Sequence, residues 1–163
     1  MTEAIQLLTA FLGAIGFSLL FHVRGRLILP ASIGGMLEWG VYLLGLHTLD
    51  GIFLPCLIAS AFSAVYAEVM ARLLKAPATV FFLPTIVPLI PGSTLYYMMH
   101  YAVQRDWATA QYYRGLTIQY ALGIAAGISL VWAVVDMLHK VRAKNHGGDD
   151  RSSDRNVGNR RRF

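Results

Sequence analysis

Cysteine occurs once in this 163-residue chain, at Cys56 inside an apolar run. No intrachain disulfide can form, and cysteine says nothing about redox compartment. Charge is scarce: 14% of the residues are Asp, Glu, Lys or Arg, where a soluble domain carries about a quarter. Polar helix faces, which a soluble helical bundle needs, are almost missing between Gln6 and Leu138. The short signatures of enzyme chemistry are missing too. There is no His-Glu-x-x-His, no Cys-x-x-Cys, no Gly-x-Ser-x-Gly and no phosphate-binding glycine loop, so neither an enzyme nor a cofactor is expected.

What the chain has instead is apolar length. Hydrophobic residues make up 56% of it, gathered into five blocks: Ala4–Val23, Leu27–Leu46, Gly51–Leu74, Ala78–Met99 and Leu116–Leu138. Each is near the ~20 residues that cross a bilayer as a helix. The expected fold class is an all-α integral membrane protein, with a five-helix membrane domain over 1–140 and a disordered basic tail over 141–163. The first block does not read as a signal peptide, because Glu3 precedes it while Arg24 and Arg26 follow it. The tail holds most of the positive excess, a local feature suited to anionic lipid headgroups. Nucleic-acid binding is not expected, since no aromatic or motif support accompanies that charge.

The basic residues also give a direction. Arg24, Arg26, Arg72, Lys75 and the tail follow odd-numbered spans; only Arg105 and Arg114 lie on the other side. The positive-inside rule then puts the N-terminus outside and the C-terminus in the cytoplasm. The stretch His100–Gly115, with Trp107, Tyr101, Tyr112 and Tyr113, reads as an outer interfacial loop. Small residues recur every four positions in the third span (Ala59, Ser63, Ala67, Ala71), with Ser60 and Ala64 beside them. Gly123 and Gly127 form a Gly-x-x-x-Gly, and Gly13 with Gly16 a weaker notch. Such spacing lets helix backbones approach closely in lipid.

The fourth block contains PTIVPLIPGSTLYYMM, from Pro84 to Met99. Each interior proline costs a helix about 3 kcal/mol, so a discontinuous span is expected, stopping near Leu89 and restarting after Gly92. Ser93 and Thr94 are the expected N-caps of the new start. A helix start at the bilayer midplane offers free N–H groups and a partial positive charge to an anion, as in the broken helices of secondary transporters. Pro88, Pro91, Gly92, Ser93 and Thr94 are therefore the candidate substrate-binding residues. Carboxyl groups within spans are costly and usually functional. Glu38, in GGMLEWG, is the first candidate for proton coupling; Glu68, with Arg72 one turn on, is the second or else a structural ion pair. Asp136, four before Lys140, reads as an interfacial pair.

The run AEVMARLLKAPATVFFLPTIVPLIPGSTLYYMM, together with FSLLFHVRGRLILPASIGG at Phe17–Gly35, resembles the threonine/serine exporter (ThrE) family, and in particular its short five-helix members, similar to the C-terminal half of the fused exporters. The resemblance covers nearly all of the apolar region, and Pro88–Gly92 is its most specific part. It implies ten-helix single chains or split pairs, and substrates that are threonine and serine or succinate-like dicarboxylates. This chain has no counterpart of the family's N-terminal half. The resemblance therefore implies a subunit of a secondary transporter that exports small carboxylates across a bacterial cytoplasmic (inner) membrane. It would work with a larger membrane protein that supplies the other helices, or as a homo-oligomer. The other reading is a non-transporting subunit that stabilises such a partner.

Overall fold

The computed structural model describes residues 2–159, with side chains described for 3–138 and for Lys140. Among the described residues every regular element is helical: α1 (Thr2–Leu20), α2 (Gly25–Thr48), α3 (Phe53–Leu74), α4 (Ala78–Ile86), a 3-10 turn (Val87–Leu89), α5 (Gly92–Val103) and α6 (Trp107–Asn159). Four segments are each long and apolar enough to cross a membrane alone: Glu3–Leu20, Gly25–Thr48, Phe53–Leu74 and Trp107–Leu138. The α4–α5 pair, bent by 47°, passes as one broken span. The described residues are thus all-helical, as in a membrane protein, with four candidate spans, or five when the bent pair counts as one. Residues 160–163 and the side chains of 141–159 lie outside the described residues, and the expected disordered tail falls largely there.

Residues up to Leu130 form one compact unit and those from Val131 a second. Within the first, α2 is the central rod. Its buried face, with Gly34, Gly35, Glu38, Tyr42 and Gly45, runs between α1, α3 and α4. The small residues of α3 do what their spacing predicts: Ala59, Ser60, Ser63, Ala64 and Ala67 are all buried. Gly123 and Gly127 bring α6 against α3. A Cβ on Gly123 would lie 2.8 Å from both Cys56 Cβ and Phe53 O, and one on Gly127 would overlap Ser60 Oγ and Leu57 O. The Gly13–Gly16 notch is a correction, since nothing lies within 4 Å of a Cβ built at either glycine.

Three turns close in the same way without glycine. His22, Lys75 and Arg105 are left-handed, at φ 53°, 50° and 62°. In each, the following N–H bonds back five residues: Val23 to Ser18 O (3.0 Å), Ala76 to Ala71 O (3.1 Å) and Asp106 to Tyr101 O (3.0 Å). This six-to-one bond satisfies a carbonyl that the helix end leaves free, and it offsets the roughly 1 kcal/mol cost of a left-handed side-chain residue.

The outer-loop reading of His100–Gly115 needs correcting. Helix α5 continues to Val103 and α6 begins at Trp107, leaving only a tight turn between them. Asp106 caps α6 by accepting the Thr109 N–H at 3.2 Å, and that bonding holds its carboxyl below the usual carboxylate range. The aromatic residues instead stack across the two helices, Tyr101 on Tyr113 with ring centres 5.7 Å apart and planes 5° from parallel.

Candidate transport site

The fourth span breaks where its prolines are. Pro88 has no N–H to give to Pro84 O, four residues back. The chain tightens into the 3-10 turn, and the Ile90 N–H closes it on Val87 O at 3.2 Å. Ile90 is extended (φ −61°, ψ 126°) and Pro91 is the N-cap of α5, with no side-chain cap. The expected break is present, but the expected caps are not. Ser93 and Thr94 lie inside the first turn of α5, because the fixed ring of Pro91 stops the preceding chain and Gly92 takes the first helical position. The Gly92 N–H turns back to Ile90 O (2.7 Å), and the Leu95 N–H bonds Pro91 O (3.2 Å). First-turn N–H groups have no helical acceptor, so those of Ser93 and Thr94 are the donors the break presents. The Thr94 hydroxyl donates to Pro91 O (3.2 Å) and accepts from Thr117 Oγ1 (3.0 Å), tying α5 to α6. Ser93 is exposed and Thr94 half-buried.

Against the break lies the glycine pair of α2. A Cβ on Gly35 would meet Ala14 Cβ at 2.8 Å, Pro84 O at 3.4 Å and Pro88 Cγ at 3.5 Å; one on Gly34 would meet Thr85 Oγ1 and a Tyr66 ring carbon, each at 2.5 Å. Only glycine lets α2 come this close to the carbonyl that Pro88 leaves without its helical donor. One turn on, Glu38 is fully buried. Its Oε1 accepts the Ser63 hydroxyl of α3 at 2.6 Å, and its Oε2 has no partner among the described residues. The neighbouring Trp39 Nε1 is a second buried polar atom without one. A buried polar atom left unbonded costs about 1–3 kcal/mol, so each of these two atoms is a point where a further partner would be favourable.

Trp39 also lines a recess of about 240 Å³ with Gln6, Thr9, Ala10 and Pro88. Of these, sequence reasoning found only Pro88. Two polar residues one turn apart in the first half of a mostly apolar span were the available signal for Gln6 and Thr9. Glu68 is placed elsewhere, at the far end of α3 in a 3.5 Å pair with Arg72, its side chain 27% exposed; it does not join Glu38. Asp136 pairs with Lys140 at 2.6 Å. No group of three or more potential metal ligands occurs among the described residues.

Apolar spans, one of them broken, with a buried carboxyl one turn from a glycine pair that seats on the break, define a multi-pass membrane transport protein. The family model described as Threonine/Serine exporter, ThrE, matches residues 6–134, and the chain belongs to that family. No curated protein and no solved structure matches it.

Proposed function

We propose that the chain is a five-span subunit of a secondary transporter that exports small carboxylates, threonine and serine first among them, across a bacterial inner membrane. The observation that carries this reading is the broken fourth span, bent by 47° between α4 and α5, which leaves first-turn N–H groups at Ser93 and Thr94 and a carbonyl at Pro84 without helical partners. Ser93 and Thr94 offer N–H groups to a carboxylate, while the Pro84 carbonyl, freed by Pro88, can accept from an ammonium. An amino acid carries both charges. Pro88, Pro91 and Gly92 hold this geometry open, and the hydroxyls of Ser93 and Thr94 supply further bonds. Glu38 is the group that takes and releases a proton during the cycle; Glu68 with Arg72 is the structural pair. The remaining wall comes from a larger membrane protein or from a second copy of the chain. A dicarboxylate would use the same helix start but would leave the freed carbonyl without a donor.

The test is efflux from membrane vesicles loaded with labelled threonine, serine or succinate, the chain being co-expressed with the ThrE-family protein that supplies the other helices. Ser93→Ala with Thr94→Ala should leave the complex intact and reduce efflux of the true substrate about tenfold, roughly what one lost hydrogen bond to a charged group is worth. Glu38→Gln keeps the volume and the Ser63 bond, so exchange should persist while the response to an imposed pH gradient disappears. Unchanged efflux in the double alanine variant, with the complex intact, would make the chain a stabilising subunit only.

The orientation is checked separately. Single cysteines placed at Asp50 and Trp107 in a Cys56→Ala background should react with an impermeant thiol reagent from outside the cell, and one at Lys75 should not. Outside labelling at Lys75 would reverse the topology.

A further inference from the structure

A second recess of the bundle adjoins α4 on the side of the α3–α4 turn and shares Pro84 with the break. About 550 Å³ in volume, it opens between the α1–α2 turn and the α3–α4 turn. Three basic side chains line it: His22 and Arg24 from the first turn and Lys75 from the second. No acidic residue does, and among the described residues neither Arg24 nor Lys75 has an ion-pair partner. Two of the three basic residues, His22 and Lys75, are the left-handed residues of their turns. The backbone bonds that close those turns therefore also set where the charges stand. Apolar residues line it as well, among them Phe21, Leu27, Val80, Leu83 and Pro84. Helices α2 and α4 both begin at this recess, with Arg24 and Pro77 as their N-caps and no side-chain cap on either, which adds to the positive potential.

We infer that this recess is a binding site for an anionic phospholipid. The phosphodiester would sit between Arg24 and Lys75, and an acyl chain would lie along Leu27, Val80 and Leu83. Two features decide between a lipid and a soluble anion. The cationic groups stand just past the ends of two candidate spans, α1 and α3, and the same recess is lined by apolar residues of two further helices, α2 and α4. A soluble carboxylate or phosphate would gain nothing from Leu27, Val80 and Leu83. A lipid uses both halves, since basic pockets between spans suit anionic headgroups and guanidinium forks match phosphate oxygens. The inference requires only that the chain spans a membrane, and it does not depend on which solute is carried.

The test uses the full chain purified in a neutral detergent, its thermal midpoint followed as lipid is added. Phosphatidylglycerol should bind about 30-fold more tightly than phosphatidylcholine, the preference expected from two surface cations. Arg24→Gln with Lys75→Asn should abolish the preference; asparagine is chosen because it tolerates the left-handed turn at position 75. Arg26→Gln removes a charge from the first turn of α2 but not from the recess, and it should leave the preference unchanged. All three proteins keep the basic tail, so its contribution is common to them. Should the double variant prove too unstable to melt cooperatively, native mass spectrometry on the single Arg24→Gln variant replaces the melt, and it should show fewer retained phosphatidylglycerol molecules than the parent chain. A preference that survives in the double variant, or that Arg26→Gln removes equally, would overturn the site. Equal stabilisation by soluble glycerol phosphate would make it a site for free anions and overturn the lipid assignment.

Discussion

Pro88→Ala, Pro91→Leu and Gly92→Ala introduced together should abolish export while leaving the protein inserted and folded. Alanine at 88 regains the N–H that closes on Pro84 O, and leucine at 91 regains one for Val87 O. By intrinsic propensity each proline replacement favours a helix by roughly 3 kcal/mol and the glycine replacement by about 1. The 47° bend should relax toward a continuous rod. The N–H groups of Ser93 and Thr94 would then be consumed by the helix's own carbonyls, and the freed acceptor beside Gly35 would be filled. Two charge-assisted hydrogen bonds lost from the substrate correspond to a fall of at least about 100-fold in efflux. Protein yield and gel-filtration profile should match the parent. Efflux at the parental rate from such a variant would show that the prolines only bend the span.

The second large effect is one of sign. Gly123→Ala with Gly127→Ala should destabilise the bundle, whereas Gly13→Ala with Gly16→Ala should not. The chemical change is identical, and by propensity alone each gains a helix up to about 1 kcal/mol. At Gly123 and Gly127, however, the new methyl meets the α3 backbone at Phe53 O and Leu57 O, which cannot rotate aside as a side-chain tip can. Overpacking of this kind costs about 1–3 kcal/mol per site. The Ser60 hydroxyl, 3.4 Å from Gly123 O, would lose that neighbour as α6 moves off. Thermal midpoints in detergent should fall for the first pair and hold or rise for the second. Equal behaviour of the two pairs would mean that the α3–α6 contact contributes nothing.

The break itself was legible because proline acts through covalent geometry, which no tertiary contact can repeal. Its details were less so. Serine and threonine favour N-caps through their side chains, but Pro91 had already fixed the local backbone, so the cap fell two residues earlier than hydroxyl preference suggests. Glu38 stood out as a charge in an apolar block, and the small-residue stripe of α3 announced a packing face. That Ser63 on that stripe is the residue that bonds Glu38 could not be read, since it depends on how α2 and α3 are rotated against each other. The recess at Gln6, Thr9 and Trp39 and the basic recess at Arg24 and Lys75 are both appositions of distant segments, for which local pattern carries no signal. The Asp106 cap was in the sequence, as Asp three residues before Thr109, and was hidden by the aromatic residues around it.

Helix α5 has no buried residue, although it bears the N–H groups proposed to meet the substrate. A carboxylate there would face hydrocarbon unless some other surface closes over it, and transferring an unpaired charge into hydrocarbon is prohibitive. Occupancy and closure are therefore one thermodynamic event. An affinity measured on this chain would contain the free energy of recruiting the missing wall, and would be weaker than the intrinsic one by the fraction of molecules already closed. Changing the neighbour, with every residue of this chain held constant, would then change the apparent affinity for every substrate by the same factor.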